Sequence, residues 1–337
     1  MADVAKAAGV SAMTVSRALK HDGRIAPATR RHILAVVREL GYVPDRMAGS
    51  FSSQRSGIVA LLVPSLNNPH FADTASGLQE ALRPAGLQVI LGYTNYRKET
   101  AETLIQAMLE RRPEAIVLTY DDHTARARQL LLASGIPVIE IWETPKRPIG
   151  HVVGFSNRQA AAAMTQHLIG MGRQRIAYIG ETGDEGTRGA ERRKGFADAL
   201  KAARLDDKRQ IAIAVPPVSM LQGRDAMHHI MRRWPDTDAV MCVSDPAAFG
   251  ALSACQLEGI AVPGQVAIAG FGDFEISRCA VPGISTIAVN GLDIGMATGR
   301  MVLSLLQGES GNAASPQAVL VDALPVVRGS TQRPSPK

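Results

Sequence analysis

From residue 58 onward, short apolar runs alternate with stretches of helical periodicity. That rhythm constrains the fold more than any other feature of the chain. The runs are IVALLV (58–63), VIL (89–91), AIVLT (115–119), VIEI (138–141), VVGF (152–155), RIAYIG (175–180), IAIAV (211–215), AVMCV (239–243) and VAIAG (266–270). Helical patterns lie between many of them, over 71–85, 99–111, 124–134, 157–171, 189–203 and 246–258. Continuously apolar strands need cover on both faces, and parallel neighbours need a long crossover, so the pattern predicts an α/β fold of βαβ units in parallel sheets. The 280 residues involved are generous for one doubly wound sheet, so two lobes with a cleft between them are expected. Ligands in such folds sit outside the carboxyl ends of the strands.

The first 57 residues follow another plan. Val4, Ala5 and Ala8 recur at helical spacing, Gly9 interrupts them, and Ser11 is placed to cap a second helix carrying Val15, Ala18 and Leu19 on one face. His21-Asp22-Gly23 reads as a turn. Pro27 suits the first position of a third helix, where its missing N–H costs nothing. That helix points Ile33, Val36, Val37 and Leu40 inward and stops at Gly41. Three short helices with a glycine turn between the first two form a helix-turn-helix pattern, the expected head at 1–43. The stretch 44–57, PDRMAGSFSSQRSG, is rich in Ser and Gly and reads as a hinge linker to the body at 58–337.

Charge is distributed as unevenly as the pattern. Residues 1–57 hold nine Lys/Arg against four Asp/Glu, and the remaining 280 hold 28 against 27. A small basic module on a neutral body fits a polyanion partner, although short segments also drift by a few charges by chance. Hydrophobic residues at 46% and charged residues at 20% exclude a disordered or collagen-like chain. No apolar run reaches the roughly 18 residues of a membrane span, and no basic-then-apolar leader is visible. Cys242, Cys255 and Cys279 stand singly, which fits a reducing cytoplasm and neither a disulfide framework nor a zinc site.

Signatures of catalysis are missing. The first strand of the body runs into PSLNNP where a dinucleotide enzyme would place GxGxxG, and the lone GFG at 270–272 lacks the third glycine. The glycines at 180, 183, 186 and 189 are not followed by Gly-Lys-Ser/Thr, and there is no GxSxG elbow. His228-His229 has no HExxH or carboxylate partner and reads as a solvated helix face. No enzyme, metal or cofactor is expected from these residues.

The segments DVAKAAGVSAMTVSRAL (3–19) and TRRHILAVVRELGYVPDRMA (29–48) resemble the DNA-binding head of the LacI/GalR transcriptional regulators. The resemblance continues through IVALLVPSLNNPHFADTASGLQEAL (58–82), GIPVIEI (135–141), GRQRIAYIG (172–180), RRKGFADAL (192–200) and VPGQVAIAGFGD (262–273). Within the family, GIPVIE, VGFSN and MTQHLI are most similar to the gluconate-operon repressor group. The resemblance implies a head, a hinge and a core like periplasmic sugar-binding proteins, the chain crossing three times between lobes. It places 58–156 and about 286–316 in a head-proximal lobe, with about 157–285 and a strand near 317–328 in a distal one. It also implies a cytoplasmic homodimer that reads a palindromic operator and answers a small sugar-acid effector; the alternatives are a sugar-binding protein or an enzyme acting on sugar acids. No leucine-heptad tail follows Val327, so a tail-built tetramer is not expected.

Residue by residue, the resemblance sets Ala12, Met13 and Arg17 against base edges. An arginine there can pair bidentately with a guanine, while Ala12 and Met13 can meet a thymine methyl or simply fit a shape. Thr14, Ser16, Thr29 and Tyr42 match positions that touch phosphates. Ala48 and Phe51 belong to the segment that becomes a hinge helix on DNA, with Phe51 where the family usually has a leucine wedge. For the effector it points to Ser65 and Phe71 from one lobe, Phe155 at a crossing, and Arg192, Ser244 and Asp273 from the other. Arg192 fits either a clamp or a surface charge, and Phe71 and Phe155 fit either the cleft wall or the core. Val218 stands where the family often has an aromatic platform, and Gly272 where it often has an acidic residue; one carboxylate fewer suits an anionic effector.

Overall fold

The computed structural model describes residues 1–19, 24–43, 56–119, 123–183, 186–308 and 316–332. The chain divides into two compact units, Met1–Ser56 and Gly57–Lys337.

The first unit is built on α1 (Ala2–Ala7), α2 (Ala12–Leu19) and α3 (Pro27–Glu39). Ser11 Oγ accepts the Thr14 N–H at 3.2 Å and so satisfies one of the orphan donors that open α2. Before α3, Ala26 offers no side-chain cap, and Pro27 at the first helical position removes one of the four orphan donors that open the helix. Val4, Val15, Ala18 and Ile33 are fully buried together. Arg30 Nε donates to the Ala18 carbonyl at 3.1 Å and ties α3 to the end of α2. Leu40 departs from expectation: it is 49% exposed. It is the C-cap of α3, beyond which Gly41 turns left-handed (φ 58) and Tyr42 N–H donates back to the Val37 carbonyl at 3.0 Å. Val37 and Tyr42 cover the core there.

The second unit has two lobes. In the first lobe, β1 (Ile58–Val63), β2 (Gln88–Tyr93), β3 (Ala115–Thr119), β4 (Val138–Ile141) and β5 (His151–Gly154) form a parallel sheet, and a late strand, β11 (Ala318–Leu320), joins its edge. The order is β11-β5-β4-β3-β1-β2. The run IVALLV is apolar throughout because both faces are covered. Val59, Leu61 and Val63 enter one buried cluster with Leu78 and Leu82 of α4 (Pro69–Leu82). Ala60 and Leu62 enter another with Ile105 of α5 (Lys98–Leu109) and Leu131 of α6 (Ala125–Ala133).

The second lobe places β6 (Ile176–Glu181), β7 (Gln210–Ala214), β8 (Ala239–Cys242) and β9 (Ala267–Ala269) in the parallel order β7-β6-β8-β9. Around it α7 (Asn157–Gly170) packs on α8 (Arg188–Ala202), and α9 (Met220–Arg233) packs on α10 (Asp245–Leu257). The short α11 (Glu275–Cys279) follows β9. The antiparallel pair β10 (Thr286–Val289) and β12 (Ala323–Val326) continues this lobe, since Ser285 bridges Ala269 and Ala288 bridges Gly272.

The lobe boundaries expected near the C-terminal end are corrected here. β10 belongs to the second lobe, and β11 pairs with β5 in the first. Between them α12 (Gly291–Leu306) packs against α4 of the first lobe. That contact is close because Gly291, Gly295 and Gly299 recur every four residues. A Cβ at any of them would run into α4, at His70 O, Thr74 O and the Ala81 side chain respectively.

Candidate effector cleft and nucleic-acid face

On the head, α2 carries its inward face on Val15 and Ala18 and leaves the opposite face in solvent. Met13 is 62% exposed, too much for a core residue. Ala12 and Arg17 are exposed beside it, and Thr14 and Ser16 are half-buried at its margins. Thr14 Oγ1 lies 2.9 Å from Ser11 Oγ, which fixes its rotamer at the start of the helix. Thr29 on α3 and Tyr42 after it are half-buried. The helix offers a charged guanidinium, hydroxyls and an apolar thioether on one solvent face, the set that base edges and phosphates require. Ala48 and Phe51 lie outside the described residues.

In the core, the strands of both lobes end at a cleft of about 810 Å³, its open mouth included. Its walls are the segments that follow those strand ends. After β1 come Asn68, His70 and Phe71 at the start of α4. Asn68 Oδ1 caps that helix by accepting His70 N–H at 3.0 Å. Trp142 follows β4 in a left-handed conformation (φ 72), unusual for a bulky residue, and its Nε1 donates to Thr74 Oγ1 at 3.2 Å. Glu181 ends β6, and Arg188 and Arg192 stand one turn apart on α8. Gly189 lets the Glu181 carboxylate lie against α8, since an added Cβ would displace that side chain from its present position.

Arg192 is held from three sides. Its Nε donates to Asn157 Oδ1 at 2.8 Å, one terminal nitrogen donates to the Val243 carbonyl at 2.8 Å, and its Cζ lies 3.7 Å above the Phe271 ring centroid. Asn157 is fully buried and donates in turn to the Trp142 carbonyl at 2.8 Å and to Glu143 Oε2 at 2.9 Å. A hydrogen-bonded chain thus runs from the first lobe at Trp142 and Glu143, through Asn157 of α7, to Arg192 of α8. Burial pushes the Glu143 carboxyl up, against the hydrogen bonds it accepts. Burial, with Arg188 beside it, lowers Arg192. Arg188 is 7% exposed, and its Cζ lies 5.2 Å from the ring centroid of Phe71 in the facing lobe. Burial also lowers the His70 imidazole, whose Nε2 has no hydrogen-bond partner of good geometry among the described residues.

Of the expected effector residues, the cleft brings Phe71, Arg192 and Ser244 together, with Val218 and Gly272 also in its wall. Ser244 caps α10, its Oγ near Ala247 N at 3.5 Å. Three others stand outside this lining. Ser65 Oγ accepts Asn67 N–H at 3.1 Å within the β1–α4 turn. Phe155 sits behind the wall, 6.2 Å from Trp142 and 6.3 Å from Phe271 between ring centroids. Asp273 pairs with Arg278 and Arg328, each at 2.6 Å. Burial pushes its carboxyl up, but those two arginines hold it below its ordinary value on balance.

The sequence reading missed Arg188, His70, Trp142 and Asn157. Arg188 had a legible signal, because it precedes Arg192 by four residues and shares its helix face. His70 and Trp142 had a weaker one, their position just past a strand end. Asn157 had none, since its role depends on three partners distant in sequence.

Comparisons with known proteins agree over both units. Residues 1–45 match the family described as bacterial regulatory proteins of the lacI family. Residues 56–317 match the family of periplasmic binding proteins and the sugar binding domain of the LacI family. The chain is 35% identical to the HTH-type transcriptional regulator GntR of Pseudomonas aeruginosa, over 91% of this chain and 89% of that protein. It is 31% identical to the HTH-type transcriptional regulator IdnR of Escherichia coli, over 92% of each chain. A crystal structure of a LacI family transcriptional regulator from Silicibacter pomeroyi is 46% identical with a TM-score of 0.77, covering 82% of this chain and 100% of that one.

Proposed function

The chain belongs to the LacI family of bacterial regulatory proteins and is a DNA-binding transcriptional regulator; from that premise we propose that it is a homodimeric repressor released from a palindromic operator by a sugar acid such as gluconate. The observation that carries the effector class is the pair of guanidinium groups, the buried Arg188 and the half-buried Arg192, in the cleft between the lobes. An arginine fork offers a carboxylate two parallel charge-assisted hydrogen bonds, and aromatic walls suit the apolar face of a sugar chain. Relatives named GntR and IdnR support the same class. Two symmetric helix-turn-helix heads call for two inverted half-sites, which supports the dimer. Catalytic turnover is not part of this reading, nor is transport.

In the head, Ala12, Met13 and Arg17 read base edges, and Thr14, Ser16, Thr29 and Tyr42 hold phosphates. Ala48 and Phe51 act in the hinge, Phe51 as a wedge in the minor groove. Phe51→Ala therefore reduces the bend measured on circularly permuted sites; an unchanged bend removes the wedge. Selection from random duplexes with the full chain should return inverted repeats, and titrating gluconate, idonate and 2-ketogluconate onto the selected complex should release it. Selected sites without inverted symmetry overturn the dimer, and release by none of the acids overturns the effector class. An alternative effector such as a neutral disaccharide would then show as release by that sugar.

A further inference from the structure

We infer that Glu181 reads the hydroxyl groups of the effector, so that the cleft selects a polyhydroxylated acid over a plain one. The inference rests on the sugar-acid reading and deepens it by naming the group that takes the ligand's hydroxyl protons. The two cleft arginines cannot do this, because a guanidinium carries only donors. They can hold a carboxylate and the lone pairs of hydroxyls, but a ligand O–H also needs an acceptor once it leaves water. The resemblance places an acid for this purpose at 272–273, and neither position supplies it. Gly272 has no side chain, and Asp273 is paired with Arg278 and Arg328. Among the described residues, Glu181 is the one carboxylate that lines the cleft.

Local structure puts its carboxylate there. Glu181 is the last residue of β6, at the carboxyl end where ligands bind in such sheets. The parallel ladder of β6 and β7 slips by one residue at this point, Gly180 facing Ala212 and Glu181 facing Ala214. Such an irregularity twists a strand end and re-aims its side chains. The Glu181 side chain then lies against α8 at Gly189, where an added Cβ would displace it. That turn of α8 is fixed by Thr187, whose Oγ1 accepts the Ala190 N–H at 3.2 Å. A carboxylate has two oxygens and about four acceptor sites, so contacts within the protein hold it in place and leave capacity for a ligand. Held so, it accepts hydroxyl protons in charge-assisted hydrogen bonds. A site built to bond a hydroxyl rejects the analogue that lacks it, because its own polar group is then left unpaired.

The experiment is calorimetric titration of the full chain with gluconate, idonate and 2-ketogluconate, then with forms of the tightest of these acids that each lack one hydroxyl. It is run on wild type, Glu181→Gln and Gly189→Ala. In wild type at least one deoxy acid binds roughly 10- to 150-fold more weakly than its parent, the worth of a hydrogen bond to a charged group. Glu181→Gln keeps the shape of the side chain without its charge. Gly189→Ala keeps the charge and pushes the carboxylate aside; the atoms its Cβ meets first all belong to Glu181, so the fold survives the change. In both variants the parent acid binds more weakly, and the penalty for the missing hydroxyl shrinks at least threefold, as coupling between the two groups requires. The inference is overturned if wild type penalises no deoxy acid, or if either variant keeps every wild-type penalty within threefold. If none of the three acids binds wild type, the sugar-acid reading itself falls and takes this assignment with it.

Discussion

Met13 in the head is 62% exposed and Arg17 stands beside it in solvent, whereas Arg192 in the core is bound on one edge by Asn157 and Val243 and on one face by Phe271. The head presents a surface and the core encloses a volume. A surface on a single helix needs only that helix to be capped and packed, which Ser11, Val15 and Ala18 do within a few residues of Arg17. A volume needs walls from many segments, and here they come from both lobes. The polyanion partner of the head brings its own charge and water, so its ligands can wait in solvent. A small effector must be desolvated, so its partners must be fixed before it arrives.

The difference predicts unequal responses, and the largest is to salt. Raising it from 50 to 200 mM lowers operator affinity by about 10³-fold or more if the heads neutralise six or more phosphates. Effector affinity should change far less, because buried pairs are weakly screened. Equal salt slopes in anisotropy and calorimetry would break the comparison. Next comes Ile33→Ala, which empties a fully buried site in a small core. About 2–5 kcal/mol of head stability is lost, and operator binding with it. The melting of the second unit and its effector affinity stay at wild type, because the two units have separate cores. A joint shift in calorimetry would show one cooperative unit.

Arg17→Ala should remove about 1–3 kcal/mol of discrimination at one base pair while sparing non-specific binding. Equal losses on specific and random duplexes would make Arg17 a phosphate contact. Asn157→Ala sharpens the core side of the comparison. It strips partners from Arg192 Nε and from the Trp142 carbonyl, both in a buried network, at a cost of about 1–3 kcal/mol. Denaturation of the core checks the loss, and ligand-free operator binding should not move.

The smallest effect is from His70. Burial, helped by Arg192, lowers its folded pKa below 6.5, against the opposing pull of Asp73, Asp273 and the Gly272 backbone. Between the folded and unfolded values the unfolded chain binds more protons, so this group makes stability fall as pH drops through about 6.5. Asp245 works the other way, since burial raises its carboxyl to about 6 and its contribution is lost as pH rises through that value. The difference between wild type and His70→Gln isolates the histidine: the variant loses less melting temperature between pH 7 and pH 5. Parallel curves would mean that His70 does not titrate in this window.

Legibility differed between the two regions for the same reason. The helices of the head, the cap at Ser11 and the stop at Gly41 follow from neighbours in the chain, and only Leu40 departed, because a stripe at helical spacing does not say where the helix ends. In the core, IVALLV announces a strand covered on both faces. TIAV at 286–289 announces nothing, being too short for periodicity to separate strand from helix. The placement of β10 and β11 on opposite lobes was misjudged because β11 is chosen by β5, more than a hundred residues earlier in the chain, while β10 is placed by the bridges Ser285–Ala269 and Ala288–Gly272, which its own short pattern does not announce. Arg192 could be named as a cleft residue from its resemblance, but not as a residue already occupied.

By itself the amino-acid sequence determined the head, the succession of strands and helices, and the end of the sheets at which a ligand must sit. These depend on spacing, capping and charge, which act over one or two turns of chain. Only the tertiary structure decided that Asn157 links Trp142 to Arg192, that Asp273 turns to Arg278 and Arg328, and that Arg188 faces Phe71 across the cleft. Those choices are made by which groups can satisfy one another once buried, and that competition involves residues the chain separates and the fold brings within hydrogen-bonding distance.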